Sequence, residues 1–295
     1  MNQITKFLRK IALVVLALQV FFFSLFPVYW LFLTSIKPPT EWVAHPPSWF
    51  TLSPILSNYI SLISPEAVSA YFEQYGYIIA QTKYSALVPI FNSLTISGGA
   101  AILAVIVGFL AAYSISRYGT GGRRMYFFVL TGRMFPPVAI AIPLVVMYST
   151  LNLMDLHLGL ILMYTGVTVP YVIWMMKSFL DEVPKEVEEA AILDGCSQFE
   201  AIIKVTVPMV KGGLVASALF VFILNWGEFA FALLFTNINA YTLPVQIQRF
   251  FSIAGFAHGP MSALSIMATI PMIIFGYMIQ KHFVRGLTFG AVRGR

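Results

Sequence analysis

Charge is what this sequence has least of: Asp, Glu, Lys and Arg make up 10% of 295 residues, against about 25% in soluble domains. Apolar residues reach 59%, a surplus that one aqueous core cannot take up, so an ordinary soluble domain is excluded. A single cysteine, Cys196, excludes an internal disulfide and has no metal-like neighbours, so a small buried residue is expected there. His45, His258 and His282 are equally isolated, and no metal site is expected. A phosphate-cradling loop needs Gly-Lys-Ser or Gly-Lys-Thr, yet the only Lys followed by Ser or Thr is Lys177, preceded by Met176. Neither a His-Glu-x-x-His pair nor a Gly-x-Ser-x-Gly elbow is present, so the commonest hydrolase signatures fail too. No catalytic residue and no cofactor bound by this chain are therefore expected.

What the sequence does have is long apolar runs. Crossing a bilayer takes about 20 predominantly apolar residues in a helix. Six stretches are assigned as spans: 11–36, 87–116, 125–150, 158–177, 213–236 and 260–283. The first follows Lys6, Arg9 and Lys10 but is too long for a signal peptide and lacks a small-residue cleavage site, so it reads as a retained span. The expected fold is all-α and polytopic, with both termini on one side.

A net charge of +6 would suggest nucleic acid in a soluble protein, but here it orients the chain. With a cytoplasmic N-terminus, that side receives Lys6, Arg9, Lys10, Arg117, Arg123, Arg124, Lys177, Lys185, Lys204, Lys211, Lys281, Arg285, Arg293 and Arg295. The other side receives Lys37, Lys83 and Arg249, with Arg133 left inside a span: fourteen against three. Residues 1–10 and 284–295 then form cytoplasmic ends, and 37–86 is the largest outer segment. Its prolines (38, 39, 46, 47, 54 and 65) predict a turned, partly extended stretch on the membrane surface, with Trp42 and Trp49 at headgroup level. No internal repeat supports an inverted-repeat secondary transporter.

Acid is concentrated in one cytoplasmic loop, 178–212. Asp181, Glu182, Glu186, Glu188, Glu189, Asp194 and Glu200 are seven of the chain's twelve carboxylates. Pro184 suits a first helical position, acids fill the opening turn, and Gly195 suits a left-handed stop. Ser197 followed by Glu200 is a capping box, and Phe199, Ile202 and Ile203 share one face of a second helix that Pro208 ends. An apolar face framed by acid is repelled by anionic lipid, which favours a protein cleft.

The run Glu189-Ala190-Ala191, then Gly195, Val205 and Val207-Pro208, resembles the Glu-Ala-Ala loop of binding-protein-dependent ABC importer permeases, with valines where that family usually has isoleucine and leucine. The resemblance implies a coupling helix seated in a nucleotide-binding subunit, contacted through Glu189, Ala190, Ala191, Asp194, Gly195, Phe199 and Ile202. It also implies two copies of that ATPase, which uses ATP and Mg, a second related permease forming a heterodimer, and a periplasmic or lipid-anchored solute-binding protein. Membrane lipid completes the environment, in a bacterial cytoplasmic (inner) membrane.

The likeness is closest to the carbohydrate-uptake group, and within it to the second permease of maltose-type importers. It rests on Asn225-Trp226-Gly227-Glu228-Phe229, on Asn92-Ser93-Leu94 opening the second span, and on the ending Phe283 to Thr288 with Gly290-Ala291-Val292. Residues 65–85 look like an insertion, and 87–283 corresponds to the core permease domain.

A carboxylate at mid-bilayer costs roughly 2.5–3.5 kcal/mol, so Glu228 should face protein or water. Asn225 and Ala232 would share its helical face, with Trp226 beside it. Two readings stay open: a pathway patch of Asn225, Trp226, Glu228 and Phe229 for a hydroxyl-rich solute, or an inter-helix or inter-subunit contact. Arg133 either snorkels or pairs with an acid. Asp155 and His157 are expected to be solvated in a short outer loop. The remaining alternatives are another solute (a polyol, sugar phosphate or amino acid) and a channel or receptor whose loop binds a cytosolic regulator.

Overall fold

The computed structural model describes residues 3–76, 86–131, 137–252 and 255–292. Nearly all of them are helical, and the chain divides into two compact units.

The first unit comprises Met1–Leu87 and Ile247–Ile270. It opens with α1 (Gln3–Ile36), whose long apolar run follows Lys10, and none of its most apolar 18-residue window is buried. Burial begins only at its last turn, where Ser35 is fully enclosed. There Asn58 of α2 (Ser57–Ile63) donates from Nδ2 to the carbonyls of Ser35 (2.9 Å) and Lys37 (3.0 Å), closing backbone acceptors that the helix end leaves open. Lys37 is buried as well. Its Nζ lies 4.4 Å from the centre of the Trp30 ring and donates to the Ser48 carbonyl (2.5 Å), while burial, partly offset by Glu41, holds its pKa below the usual lysine range.

The outer segment is more ordered than its prolines suggest. A 3-10 turn (Pro39–Glu41), α2 and α3 (Pro65–Glu73) pack together, and Trp42 is buried against Phe72 (6.0 Å) with its Nε1 donating to the Lys37 carbonyl (3.0 Å). Trp42 is thus a core residue and not a headgroup anchor; Trp49 is exposed, edge-on to Trp30 (5.7 Å). Of the stretch that looks like an insertion, α3 is described and 77–85 lies outside the described residues. A two-residue hairpin, β1 (Phe251–Ser252) with β2 (Gly255–Phe256), is antiparallel with Phe251 opposite Phe256.

The second unit comprises Val88–Gln246 and Pro271–Arg295. Its α4 (Leu87–Tyr118) buries Ala100, Ala104, Gly108 and Ala112, small residues four apart that let helices approach closely without a large side chain between them. At Gly108 a Cβ would lie 2.6 Å from Val172 of α7 (His157–Asp181), and at Gly213 of α11 (Lys211–Trp226) one would lie 2.5 Å from the Phe179 ring. Between α4 and α7 run α5 (Gly122–Thr131) and α6 (Pro137–Thr150); residues 132–136, including Arg133, lie outside the described residues.

After α7 come α8 (Lys185–Leu193), α9 (Gln198–Ala201), a π turn (Ile202–Thr206) and α10 (Val207–Met209). Beyond α11 lie α12 (Ala230–Phe235), α13 (Leu243–Arg249) and α14 (His258–Val292), the last two continuing across the boundary between units. The core of the second unit gathers Ile96, Tyr148, Tyr164, Phe231, Phe235 and Tyr241, with Tyr148 edge-on to Phe235 at 4.7 Å.

Among the described residues, four helices are long and apolar enough to cross a membrane, or five if the pair Gln198–Met209 and Lys211–Trp226, bent by 76°, counts as one. Of the 125–150 stretch, α5 and α6 are described and 132–136 lies outside the described residues. One expected span differs. The 213–236 span is interrupted between α11 and α12, because Gly227 caps the end of one helix and the next begins only at Ala230, with Phe229 at its N-cap. Pro208 does not end the loop helix either. Lacking an N–H for the preceding turn, it follows a π turn, and the bend falls at Val210.

Candidate functional site

The acidic loop folds as its local sequence dictates. Pro184 stands one residue ahead of α8, at its cap, and Glu186 and Glu188 occupy the first turn, where the helix dipole favours them. The exit is a complete Schellman turn: Cys196 N–H donates to the Ala191 carbonyl (3.0 Å) and Gly195 N–H to the Ile192 carbonyl (3.0 Å), with Gly195 at φ +96°. Cys196 is half-buried in this turn, not buried. Ser197 and Glu200 form the capping box, Ser197 Oγ accepting from Glu200 N–H at 3.3 Å and Glu200 Oε2 accepting from Ser197 N–H at 3.0 Å. Lys204 above all, with Ser197, lowers the Glu200 pKa to about 2.

The loop has an inner and an outer face. On the inner face Glu188 is buried: Arg117 of α4 donates to its Oε1 from Nε (2.8 Å) and Nη2 (2.6 Å), and Tyr113 Oη donates to its Oε2 (2.9 Å). Burial pushes the Glu188 carboxyl up, but Arg117 and Tyr113 outweigh it and hold it below the usual range. On the outer face Glu189, Ala190, Asp194, Gly195 and Phe199 are exposed, with Ala191 and Ile202 half-buried. Leu193 is 87% exposed and Phe199 68%, an apolar pair with no described cover.

At the interruption of the long apolar segment, Glu228 accepts from the Phe231 amide (Oε1, 3.0 Å) and the Ala232 amide (Oε2, 3.2 Å). Two donors that the start of α12 leaves open are thereby satisfied by a carboxylate on a favourable dipole.

A second cluster ties the loops at the other end of the unit. Asp155, at φ +55°, accepts from four successive amides: Asn237 (2.9 Å), Ile238 (3.0 Å), Asn239 (3.0 Å) and Ala240 (3.1 Å). Its own N–H donates to the Phe235 carbonyl (2.8 Å). Burial pushes the Asp155 carboxyl up, and the four amides outweigh it and hold it below the usual range. Asn92 Nδ2 donates to the carbonyls of Asn239 (2.8 Å) and Tyr241 (3.0 Å), its Oδ1 is 2.7 Å from His157 Nε2, and Ser93 Oγ accepts from Leu243 N–H (2.8 Å).

Residues 104–289 match the family described as binding-protein-dependent transport system inner membrane component. This chain belongs to that family. It is 33% identical over 276 residues to the trehalose transport system permease protein SugB of Mycobacterium tuberculosis, covering 92% of this chain and 93% of that protein. It is 30% identical over 290 residues to the trehalose/maltose transport system permease protein MalG of Thermococcus litoralis, covering 97% and 98%. A crystal structure of a bacterial ABC transporter that imports the acidic polysaccharide alginate shares the fold, with a TM-score of 0.74 at 17% identity over 96% of this chain and 99% of that one. The chain is thus a multi-pass inner-membrane permease of an ABC importer, in a family that works with an ATPase and a solute-binding protein.

In this permease the predicted loop residues are exposed or half-buried, whereas those of the predicted membrane patch are divided between buried and exposed. Asn225 and Trp226 are buried at the end of α11, Trp226 stacked on Phe222 at 5.7 Å, while Phe229 is exposed. Ala232 is not on the Asn225 face, since the helix breaks between them; it meets Glu228 through its backbone amide. Asp155 and His157 are likewise not simply solvated. Sequence reasoning missed their cluster, although Asp155 next to a short turn and Asn92-Ser93 inside a helix start were its visible parts. Among the described residues, no group of three or more His, Cys, Asp or Glu side chains could hold a metal ion.

Proposed function

We propose that this permease is a subunit of an importer of a sugar or related polyhydroxy solute, driven by a separate ATPase that docks on the α8–α9 loop. The observation that carries this reading is the exposed face of Glu189, Leu193 and Phe199, held in place by the buried Glu188. The solute class follows the relatives, whose names specify trehalose and maltose. The α5–α6 stretch makes up the sixth span, both termini are cytoplasmic, and the α11–α12 segment crosses with a polar break. Partners are two ATPase copies, a second related permease and an external binding protein. This chain supplies no ATP site; ATP and Mg act on the partner.

ATP closes the ATPase pair, Glu189, Ala190, Ala191, Asp194, Gly195, Phe199 and Ile202 ride with it, and the spans turn from inward to outward access. Such a shift requires the loop to bind differently in the two states. At the polar break, Phe229 and Glu228 are the accessible members of the patch, and Asn225 with Trp226 support them from within. The test is uptake by the reconstituted complex. Gly195→Val strains a left-handed residue and Glu189→Lys reverses a charge on the docking face; each should lower ATP-driven uptake about 100-fold with the chain still inserted. Uptake at the unmodified rate in both variants would sink the reading.

A further inference from the structure

The α8–α9 loop is too small to carry a load by packing. Its helices have nine and four residues, and its largest apolar side chains, Leu193 and Phe199, point away from the protein. Whatever moves it must be passed on by the groups that face inward, among them the Glu188–Arg117 ion pair, with side chains 6% exposed on both sides. Two guanidinium donors meet one carboxylate oxygen, a directional contact that cannot slide as an apolar one can.

The pair also reaches further than two residues. Arg117 Nη1 donates to the Leu180 carbonyl (3.1 Å) near the end of α7. Tyr113, one turn before Arg117 on α4, donates to Glu188 and accepts from Gln198 Nε2 (2.8 Å), the first residue of α9. One ion pair and one hydroxyl thereby join α4, α7, α8 and α9. The neighbouring contacts are peripheral: Ser116 to Asp181 (2.6 Å) and Lys177 to Asp181 (2.5 Å) lie at the exposed rim.

We infer that Arg117 and Glu188 are positioning residues of the transport cycle, a strut that delivers displacement of the α8–α9 loop to α4 and α7. The inference rests on reading that loop as the ATPase docking site. Glu189 and Glu188, adjacent in sequence, divide the work: roughly 100° apart around the helix, one faces the motor and the other holds the spans. Stiffness here comes from burial, because removing one partner leaves an uncompensated charge that the interior cannot solvate.

The test uses the whole reconstituted complex, with and without a non-hydrolysable ATP analogue, and follows amide hydrogen exchange segment by segment. In the unmodified complex the analogue should change exchange in 185–201, 87–118 and 157–181 together. In Glu188→Gln the ATPase should stay bound and the change in 185–201 persist, while that in 87–118 falls about tenfold. Arg117→Lys, which keeps the charge but loses the fork, should give a partial loss of about threefold and covers the case in which Glu188→Gln fails to assemble. A change reaching 87–118 undiminished in Arg117→Lys, or in an assembled Glu188→Gln, overturns the strut. Absence of any analogue-dependent change at 185–201 in the unmodified complex overturns the docking reading instead.

Discussion

Glu188 and Asp155 each fasten a loop of the same unit, with opposite partners. Glu188 meets a guanidinium out of contact with water, so the position of α8 is fixed while its outer face stays free. Asp155 meets four consecutive amides of the 237–240 turn, so the turn's conformation itself is fixed. The difference teaches that a carboxylate on a side-chain partner places an element as a rigid piece, whereas a carboxylate on backbone amides shapes the chain it grips.

The contrast can be broken most forcefully at Asp155. Asp155→Ala leaves four amides without their acceptor and should cost about 3 kcal/mol in equilibrium unfolding of the detergent-purified chain. A loss under about 0.5 kcal/mol, the range of an ordinary surface change, would show that the turn holds itself. The same carboxylate predicts an acid limb. Its folded pKa lies below the ordinary 3.8, so its contribution is complete above that value and is lost as pH falls through the folded pKa. Glu188 behaves alike from its ordinary 4.5 downward. Stability should therefore decline below pH of about 4, and less steeply in Asp155→Ala.

A smaller effect is expected at Asn92, which supports the same turn from α4. Asn92→Leu removes the donor to two carbonyls and the partner of His157, for about 1.5 kcal/mol by the same measurement. The smallest effect falls on the α8–α9 loop, where Ser197→Ala deletes the capping hydroxyl for about 1 kcal/mol, read as faster exchange of the Glu200 amide. Equal costs at Asp155 and Ser197 would show that gripping four amides holds the chain no more firmly than one capping hydroxyl.

The α8–α9 loop was legible because its determinants are local. Gly195 needs a left-handed turn, and Ser197 finds Glu200 three residues on; both appear in the structure as the spacing predicts. Four of the apolar runs are likewise seen as long helices. What was not legible depends on distant partners. Asp155 looks solvated until the chain brings back a turn more than 80 residues away. Trp42 looks like an interfacial residue until Phe72 covers it.

The break at Gly227 and Glu228 falls between these cases. A hydropathy window passes over three residues, but glycine followed by a carboxylate is a stop and a start signal written inside an apolar run. Pro208 is a related case: proline reads as an end, but the helix accommodates it after one wider turn and runs on to Met209.

The bareness of α1 bears on how the protein is made. This helix precedes α4, α7 and α11 in the chain, satisfies its own backbone bonds, and has none of its most apolar window covered by the later chain. It can therefore leave the translocation machinery for lipid while the remainder is still on the ribosome. The interrupted α11–α12 segment has no such independence, since Tyr164 of α7 donates to the Glu228 carbonyl (3.5 Å) and Asn225 and Trp226 are buried in the folded unit. Order of synthesis thus matches order of self-sufficiency, with an anchor laid down before the segments that depend on one another.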